Sequence, residues 1–296
     1  MTFSFFVHPF AHLPRHQGKD GDTRRLLMTQ KREEYLMFRI AAYSTTALAL
    51  SLSAAAAAPA VGLAGDRTLV MFDTESLEVT GMMEVEGVTR LHGIDLRPSN
   101  NTLVGVTDDN RIVTIDTATG AATDLSTMDT ELPVTDAQVV VDFNPAADRL
   151  RLMTGVTNHR VNVDTGEVAV DGDLVFESGD ANEAATPMVV AVAYTNSFGQ
   201  PEETAMFDID AGLGALLQQT APNDGILATI GDLGIAEPGD VMGFDVQTTE
   251  ALDNSAWLVT NNTLYSVDLE TGATTEAGPI AGAEAPIRDI TFMPAM

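Results

Sequence analysis

Gly93-Ile94-Asp95-Leu96-Arg97-Pro98 is a short apolar strand that runs into an Asp, a basic residue and a Pro. Related segments recur along the chain as Val141-Asp142-Phe143-Asn144-Pro145 and Gly243-Phe244-Asp245, and more weakly as Val192-Ala193-Tyr194 and Ile290-Thr291-Phe292-Met293-Pro294. Alignment on Asp95, Asp142, Tyr194, Asp245 and Thr291 gives steps of 47, 52, 51 and 46 residues. A period of this length is typical of a four-stranded β-propeller blade.

The rest of each period also repeats. Arg111 to Asp116 is a β-branched run that leads into Thr117-Ala118-Thr119-Gly120, and the same pattern returns from Thr263 to Gly272. Such runs, with Asp at the exit and Gly in the turn, indicate β-hairpins. No long segment has a 3.6-residue apolar period, so the chain is predicted to be all-β.

The two ends of the repeat region complement each other. The last copy, Ile287 to Pro294, has one strand and no partners after it, whereas Val61 to Ala64, Thr68 to Asp73 and the run from Val79 supply strands at the start. The C-terminal strand is therefore predicted to close a blade begun by the N-terminal strands, which leaves no open edge across the ring. The count of copies predicts five blades. Four or six remain alternatives because the third copy is degenerate.

Several motifs resemble a bacterial family of exported proteins known as domain of unknown function 4394. They are Leu91 to Pro98, Val141 to Pro145 with Asp148 to Arg151, Ser178 to Asn182 and Ala193 to Asn196, in this order. The resemblance covers the chain after Val61 and implies a propeller-like secreted domain without an assigned reaction. The chain departs from the family in its strong acidity and in the short hairpin loop Asp164 to Glu167.

Charge excludes some classes of partner. The chain has 296 residues and a net charge of −28, and from Pro59 onward it holds 8 Arg, no Lys and 39 acidic residues, a net charge of −31. Such a surface repels phosphate backbones and anionic membranes, so neither nucleic acid nor membrane is an expected partner. The chain has no Cys, which excludes disulfides and thiolate metal sites.

The N-terminal part has the pattern of an export signal. Residues 37–60 hold a basic residue, an apolar stretch and small residues, and Ala58-Pro59-Ala60 is a cleavage motif. Cleavage is placed near Ala60, with the Ala54 to Ala58 run as an alternative and an uncleaved anchor over Ile40 to Ala60 as another. Residues 1–36 are expected to be a leader that is disordered or never made, and residues 61–296 the propeller, located in the periplasm or secreted as a monomer.

Candidate ligand-binding residues lie on or beside the repeated strands. Asp95, Asp142 and Asp245 occupy equivalent positions, so they either converge at a channel mouth and hold a cation, or each accept backbone N–H bonds in a local turn. Arg97 is expected to neutralise Asp95 or to bind an anionic group. The full set of candidates is His92, Asp95, Arg97, Asp142, Asn144, Tyr194, Asn196 and Asp245.

A second candidate site is acidic. Asp171, Asp173, Asp180 and Asn182 crowd oxygen ligands into one region, which suggests calcium, although the spacing is not that of an EF-hand. The alternative is a solvated loop in which Asp180 and Asn182 form turn bonds. Nearby, Arg149, Arg151 and Arg160 either hold a ligand carboxylate or phosphate or form internal ion pairs.

Standard catalytic motifs are absent from the sequence, and only His92 and His159 follow the predicted signal. The sequence therefore predicts a binding or interaction module for a small molecule, a glycan or a protein. The alternative is an extracytoplasmic hydrolase or lyase with a carboxylate-bound divalent cation at the channel mouth and one of the two histidines as base. No cofactor is indicated, and calcium is the candidate ion.

Overall fold

All regular structure in the described residues is β-strand. The computed structural model describes residues 59–133 and 137–294, which contain 21 strands and no helix. No helix of this part of the chain is long and apolar enough to cross a membrane. The predicted leader and nearly all of the predicted signal segment lie outside the described residues.

The strands form five antiparallel sheets that are arranged as the blades of a ring. Blade 1 contains β1 (Pro59–Ala64), β2 (Thr68–Asp73), β3 (Val79–Glu84) and β21 (Ile287–Phe292). Blade 2 contains β4 (Leu91–Arg97), β5 (Thr102–Thr107), β6 (Arg111–Ile115) and β7 (Ala122–Thr127). Blade 3 contains β8 (Val139–Asn144), β9 (Arg149–Thr154), β10 (Thr157–Val161) and β11 (Val168–Val170).

Blades 4 and 5 complete the ring. Blade 4 contains β13 (Val189–Tyr194), β14 (Met206–Asp210), β15 (Ala215–Ala221) and β16 (Ile226–Asp232), with β12 (Val175–Phe176) added in parallel at its outer edge. Blade 5 contains β17 (Met242–Thr248), β18 (Asn254–Thr260), β19 (Thr263–Val267) and β20 (Thr274–Pro279). The predicted five-bladed propeller is confirmed.

Blade 1 closes the ring as the sequence predicts. Strand β1 lies between β2 and β21, and Val61 pairs with Met71 on one side and with Thr291 on the other. The N- and C-terminal strands thus share one sheet. The first strand begins at Pro59, two residues before the predicted domain boundary, and Ala60 is already fully buried.

The hairpin turns depend on the Asp and Gly of the repeat. In the turn after β6, Asp116 accepts the backbone N–H of Ala118 on its side chain and that of Gly120 on its carbonyl. Gly120 has a φ of 77° and its equivalent Gly272 a φ of 80°, a left-handed conformation that favours glycine. The Asp-x-x-Thr-Gly sequence therefore serves to form the hairpin turn.

The hydrophobic core lies between the blades and not on the ring axis. One buried cluster joins Val104 and Ile112 of blade 2 to Leu150 and Leu152 of blade 3. Equivalent clusters fill the other interfaces. The five inner strands β4, β8, β13, β17 and β21 surround a central channel, and polar side chains of these strands are the ones left to face it.

Candidate channel site

Neighbouring inner strands are joined by a repeated bond from a backbone N–H to a carboxylate. Asp95 accepts the N–H of Phe143 in the next blade at 2.6 Å, and Asp142 accepts that of Tyr194 at 3.2 Å. Asp245 accepts the N–H of Phe292 at 3.1 Å. In these three inner strands, the Asp therefore accepts the N–H of the residue after the equivalent position in the next inner strand around the ring.

The last copy continues this pattern with a hydroxyl. Thr291 accepts the N–H of Leu96 at 3.2 Å through Oγ1 and donates to Asp95 Oδ1 at 2.7 Å. The fourth blade interrupts the pattern. Asp142 accepts the N–H of Tyr194, and the bonded N–H belongs to the residue after the repeated position, so Ala193 and not Tyr194 corresponds to the aspartates. The alignment on Tyr194 was wrong by one residue. The steps are 47, 51, 52 and 46.

The three repeated aspartates converge. Each offers one carboxylate oxygen such that the three oxygens lie within 4.8 Å of one another, and all three side chains are buried. The carboxylates converge, as the first sequence hypothesis requires, while the binding of a cation stays a prediction. The carboxylates also accept backbone N–H groups. The partners of those bonds are mostly in the next blade, so the bonds are not confined to one turn.

Burial raises the pKa of these carboxyl groups. The pKa of Asp95 and of Asp142 lies well above its usual range, because burial disfavours the charged form and neighbouring carboxylates add to the effect. Burial raises the pKa of Asp245 to about 6. Asp289 belongs to the same group: it accepts the N–H of Ile94 at 2.8 Å, and burial raises its pKa to about 7.

No arginine of the described residues forms an ion pair with these four aspartates. The ion pairs of Arg67, Arg90, Arg97, Arg111, Arg151 and Arg160 are all with other carboxylates. Arg149 donates to the carbonyls of Ala147 and Asp148, and Arg288 to those of Gly65, Leu91 and His92. Within residues 59–133 and 137–294, the channel carboxylates therefore have no arginine in a direct ion pair.

A cavity of about 470 Å³ lies over this site at one mouth of the channel. Asp95, Asp245 and Thr291 line it from below, and the exposed side chain of Phe198 lines its wall. Its other lining residues include Asn101, Ser197, Gln247, Thr248, Thr249, Glu250, Ser255 and Phe292. No Lys, Arg or His is among the described residues that line it. The cavity has the size of a small-molecule site.

Arg97 has a different partner from the one predicted. Its guanidinium binds Asp148 at 2.6 and 2.8 Å and Asp164 at 2.8 Å, and it does not contact Asp95. These bonds raise the pKa of Arg97 and lower those of both aspartates. Since its donors are directed to two carboxylates of the next blade, Arg97 links blade 2 to blade 3.

His92 and Asn144 lie apart from the mouth cavity. The half-buried His92 lines a separate cavity of about 200 Å³ with Asp108 and Glu131. Burial, with Arg90 nearby, lowers the pKa of its imidazole. Asn144 accepts the N–H of Ala147 at 2.9 Å and so forms a turn after β8. Neither residue joins the channel carboxylates.

Tyr194 and Asn196 are structural in this fold. Tyr194 is fully buried, and its hydroxyl accepts a bond from Arg151 Nε at 3.2 Å. Asn196 has a φ of 61° and exchanges hydrogen bonds with Asn254 in the loops between strands. The burial of Tyr194 does not match the prediction that its side chain faces a ligand, whereas a ligand contact of Asn196 stays a prediction.

The predicted calcium residues do not form one site. The Asp171 carboxylate accepts a hydrogen bond from Arg151 at 2.7 Å and two from Arg160 at 2.6 and 2.9 Å, so its oxygens are already bound by two guanidinium groups. Asp180 accepts the N–H of Asn182 and both donors of Thr229, as the turn alternative predicts. In the part of the chain that the structure describes, Asp171, Asp173 and Asp180 do not bring their carboxylates together.

Asp289 and Phe198 were not among the candidates from the sequence. Asp289 lies two residues before Thr291. The other copies have no acidic residue two positions before their aligned residue, so the repeat gave no reason to select Asp289. Phe198 lies in the loop after the degenerate third copy, where the period gives no alignment. Its exposure, 43 %, is the signal that only the structure supplies.

The sequence profile of one family matches residues 68–291, and that family is described as a domain of unknown function (DUF4394). The chain belongs to this family. The resemblance stated from its motifs is thereby confirmed. A search of the curated proteins found no match.

Solved structures resemble the DUF4394 chain only distantly. A protein of unknown function from Bacteroides caccae is 9 % identical, with 81 % of this chain and 100 % of that chain covered and a TM-score of 0.40. A structural genomics protein from Bacteroides thetaiotaomicron is 16 % identical, with 82 % and 68 % covered and a TM-score of 0.48. An auxiliary nutrient binding protein from Bacteroides ovatus is 12 % identical, with 73 % and 57 % covered and a TM-score of 0.41.

Proposed function

We propose that this DUF4394 protein is an exported binding module that takes a small molecule into the cavity at the channel mouth. The observation that carries the proposal is the cavity itself, about 470 Å³ in volume, with the buried carboxylates of Asp95 and Asp245 below and an exposed aromatic ring on its wall. Concave sites with an apolar wall and a few convergent polar groups are typical of ligand sites.

The site is suited to binding because its polar groups are held in place. Asp95 and Asp245 are fixed by backbone N–H groups from their own strand and from the next blade. A ligand meeting these groups finds them already ordered, so less conformational freedom is lost on binding than with mobile side chains.

The test of the site is a variant that fills the cavity. A library of small metabolites is screened by thermal shift, and each compound that stabilises the wild-type protein is repeated with Ser255→Trp. Ser255 is exposed and lines the cavity, so the indole is expected to abolish the shift. Thr123→Trp on the exposed outer strand of blade 2 is the control and should keep the shift. A shift that survives Ser255→Trp places the ligand elsewhere and overturns the proposal.

Export is the second part of the proposal, and the buried start of β1 supports a specific cleavage region. Ala60 pairs with Phe72 and Phe292, and the carbonyl of Pro59 accepts the N–H of Met293. Cleavage after Ala60 removes these pairs, so the mature N-terminus is expected among residues 55–59. Mass spectrometry of protein recovered from the periplasm or medium measures it. A mature chain that starts at Val61, or uncleaved protein in the cytoplasm, contradicts this expectation.

The convergence of Asp95, Asp142 and Asp245 favours a second candidate, a hydrolase or lyase that depends on a divalent cation. Neither His92 nor His159 lines the cavity, so the base must be one of the carboxylates. Substitution of all three aspartates by Asn is expected to abolish metal binding, measured by calorimetry. Metal binding that persists in this variant refutes the candidate.

A further inference from the structure

We infer that the ligand of the mouth cavity is an organic primary amine whose ammonium group sits on Asp95 and Asp245. This inference rests on the proposed function and names the chemical class that the site selects. Three features of the cavity carry it: the sign of its charge, the acceptors left on its floor, and its size relative to a bare ion.

The charge of the lining excludes anionic ligands. Asp95, Asp245 and Glu250 are its charged residues, and the described lining contains no basic side chain. A ligand carboxylate or phosphate therefore meets repulsion and no compensating donor with positive charge. A cationic group instead supplies the charge that no arginine of the described chain provides to the channel.

The floor retains acceptor positions for an ammonium group. A carboxylate has about four acceptor positions. Asp95 accepts three hydrogen bonds, from Leu96, Phe143 and Thr291. Asp245 accepts backbone N–H bonds from Val246 and Phe292. Acceptor positions therefore remain on these two carboxylates for the N–H donors of a primary ammonium.

A bare metal ion fits less well. Ca²⁺ takes six to eight oxygen ligands, whereas Asp95, Asp142 and Asp245 offer one converging carboxylate oxygen each. The cavity of about 470 Å³ also exceeds the roughly 180 Å³ of six water molecules, at about 30 Å³ each in the liquid. This space and the exposed ring of Phe198 suit the carbon skeleton of an organic cation, which an aromatic face also attracts.

The experiment compares matched pairs that differ in charge. Calorimetry measures putrescine against 1,4-butanediol and glucosamine against N-acetylglucosamine, with CaCl₂ as a separate ligand. At least one amine is expected to bind ten times or more tightly than its neutral partner. Asp245→Asn is expected to lower that affinity tenfold or more, whereas Asp224→Asn, which removes one exposed carboxylate outside the cavity, leaves it unchanged.

Three results overturn the inference. If neutral partners bind as tightly as amines and Ser255→Trp abolishes both, the ligand class is wrong while the proposed binding site stands. If CaCl₂ binds and the amines neither bind nor compete with it, the site belongs to a metal ion. Failure of every amine to bind at millimolar concentration also refutes the amine class.

Discussion

Two regions of this propeller bury carboxylates, and they differ in whether the chain supplies a counter-charge. Between blades 3 and 4, Asp171 is bound by Arg151 and Arg160, and Arg151 is only 1 % exposed. In the channel, Asp95, Asp142 and Asp245 are equally buried, but backbone N–H groups are their principal partners. Only in the first region do arginine side chains supply positive charge to the buried carboxylate.

The difference separates a structural site from a candidate binding site. The charge of a buried carboxylate beside guanidinium groups is balanced within the protein. A buried carboxylate that is held by neutral donors keeps an unbalanced charge, which either a proton or an exogenous cation removes. Asp171, one of the acidic residues that appeared most similar to a metal site in the sequence, belongs to the first type.

The largest expected effect comes from breaking the paired region. Arg151→Met leaves Asp171, Asn158 and Tyr194 with lost bonds in the interface between blades. Removal of one partner of a buried ion pair is expected to lower the free energy of unfolding by about 3–5 kcal/mol, measured by urea denaturation. Arg90→Met is the control, because Arg90 and Asp66 are both exposed and 3.8 Å apart. Its expected loss is about 0–1 kcal/mol, and equal losses in the two variants contradict the comparison.

A smaller effect is expected from a carboxylate near Arg151 that remains unpaired. Asp208 is fully buried, neither of its oxygens has a hydrogen-bond partner, and burial raises its pKa to about 8. The folded state therefore holds a proton that the unfolded state has lost above pH 4, so stability falls as pH rises from 4 to 8. Arg151 opposes this shift and Asp210 adds to it.

Asp208→Asn removes this pH dependence. The variant is expected to gain about 2 kcal/mol over the wild type between pH 6 and pH 8, since one pH unit corresponds to roughly 1.4 kcal/mol for each proton. Urea midpoints at several pH values measure the gain. Asp224→Asn, which changes an exposed carboxylate, should follow the wild-type profile. Parallel profiles for wild type and Asp208→Asn show that this carboxyl does not titrate as described.

The smallest expected loss of stability concerns the hydrogen bonds that hold the channel carboxylates. Thr291→Val keeps the shape of the side chain but removes the donor to Asp95 and the acceptor of the Leu96 N–H. The expected loss is about 1–2 kcal/mol, because one buried bond network loses a member. Thr114→Val, whose hydroxyl makes only a 3.5 Å bond to Thr123, is expected to change stability by less than about 0.5 kcal/mol.

The repeat was readable from the sequence because its physical cause is local. Three of the five inner strands place an Asp at one position, and several hairpins have an Asp and a Gly at the turn, so the period, the all-β fold and the closure of blade 1 followed. The convergence of Asp95, Asp142 and Asp245 also followed, because equivalent residues of inner strands face one axis.

Contacts between blades were not readable in the same way. The partners of Arg97 are 51 and 67 residues away, and their choice depends on how loops of the next blade meet its strand. The third copy was misaligned by one residue because Ala193 has replaced the carboxylate that marks the other copies. Loss of the side chain that makes the bond also removes the sequence signal for it.

The closure of blade 1 sets the order in which the protein is completed. Gly62 pairs with Ile290, so the sheet needs two strands that are more than two hundred residues apart in the chain. Contacts of such long range form late, since the intervening chain must be ordered first. During synthesis, β1 emerges early and remains without β21 until the last strand has been made. The ring therefore closes only after synthesis of that strand, and a chain truncated before Ile287 retains an open edge on β1.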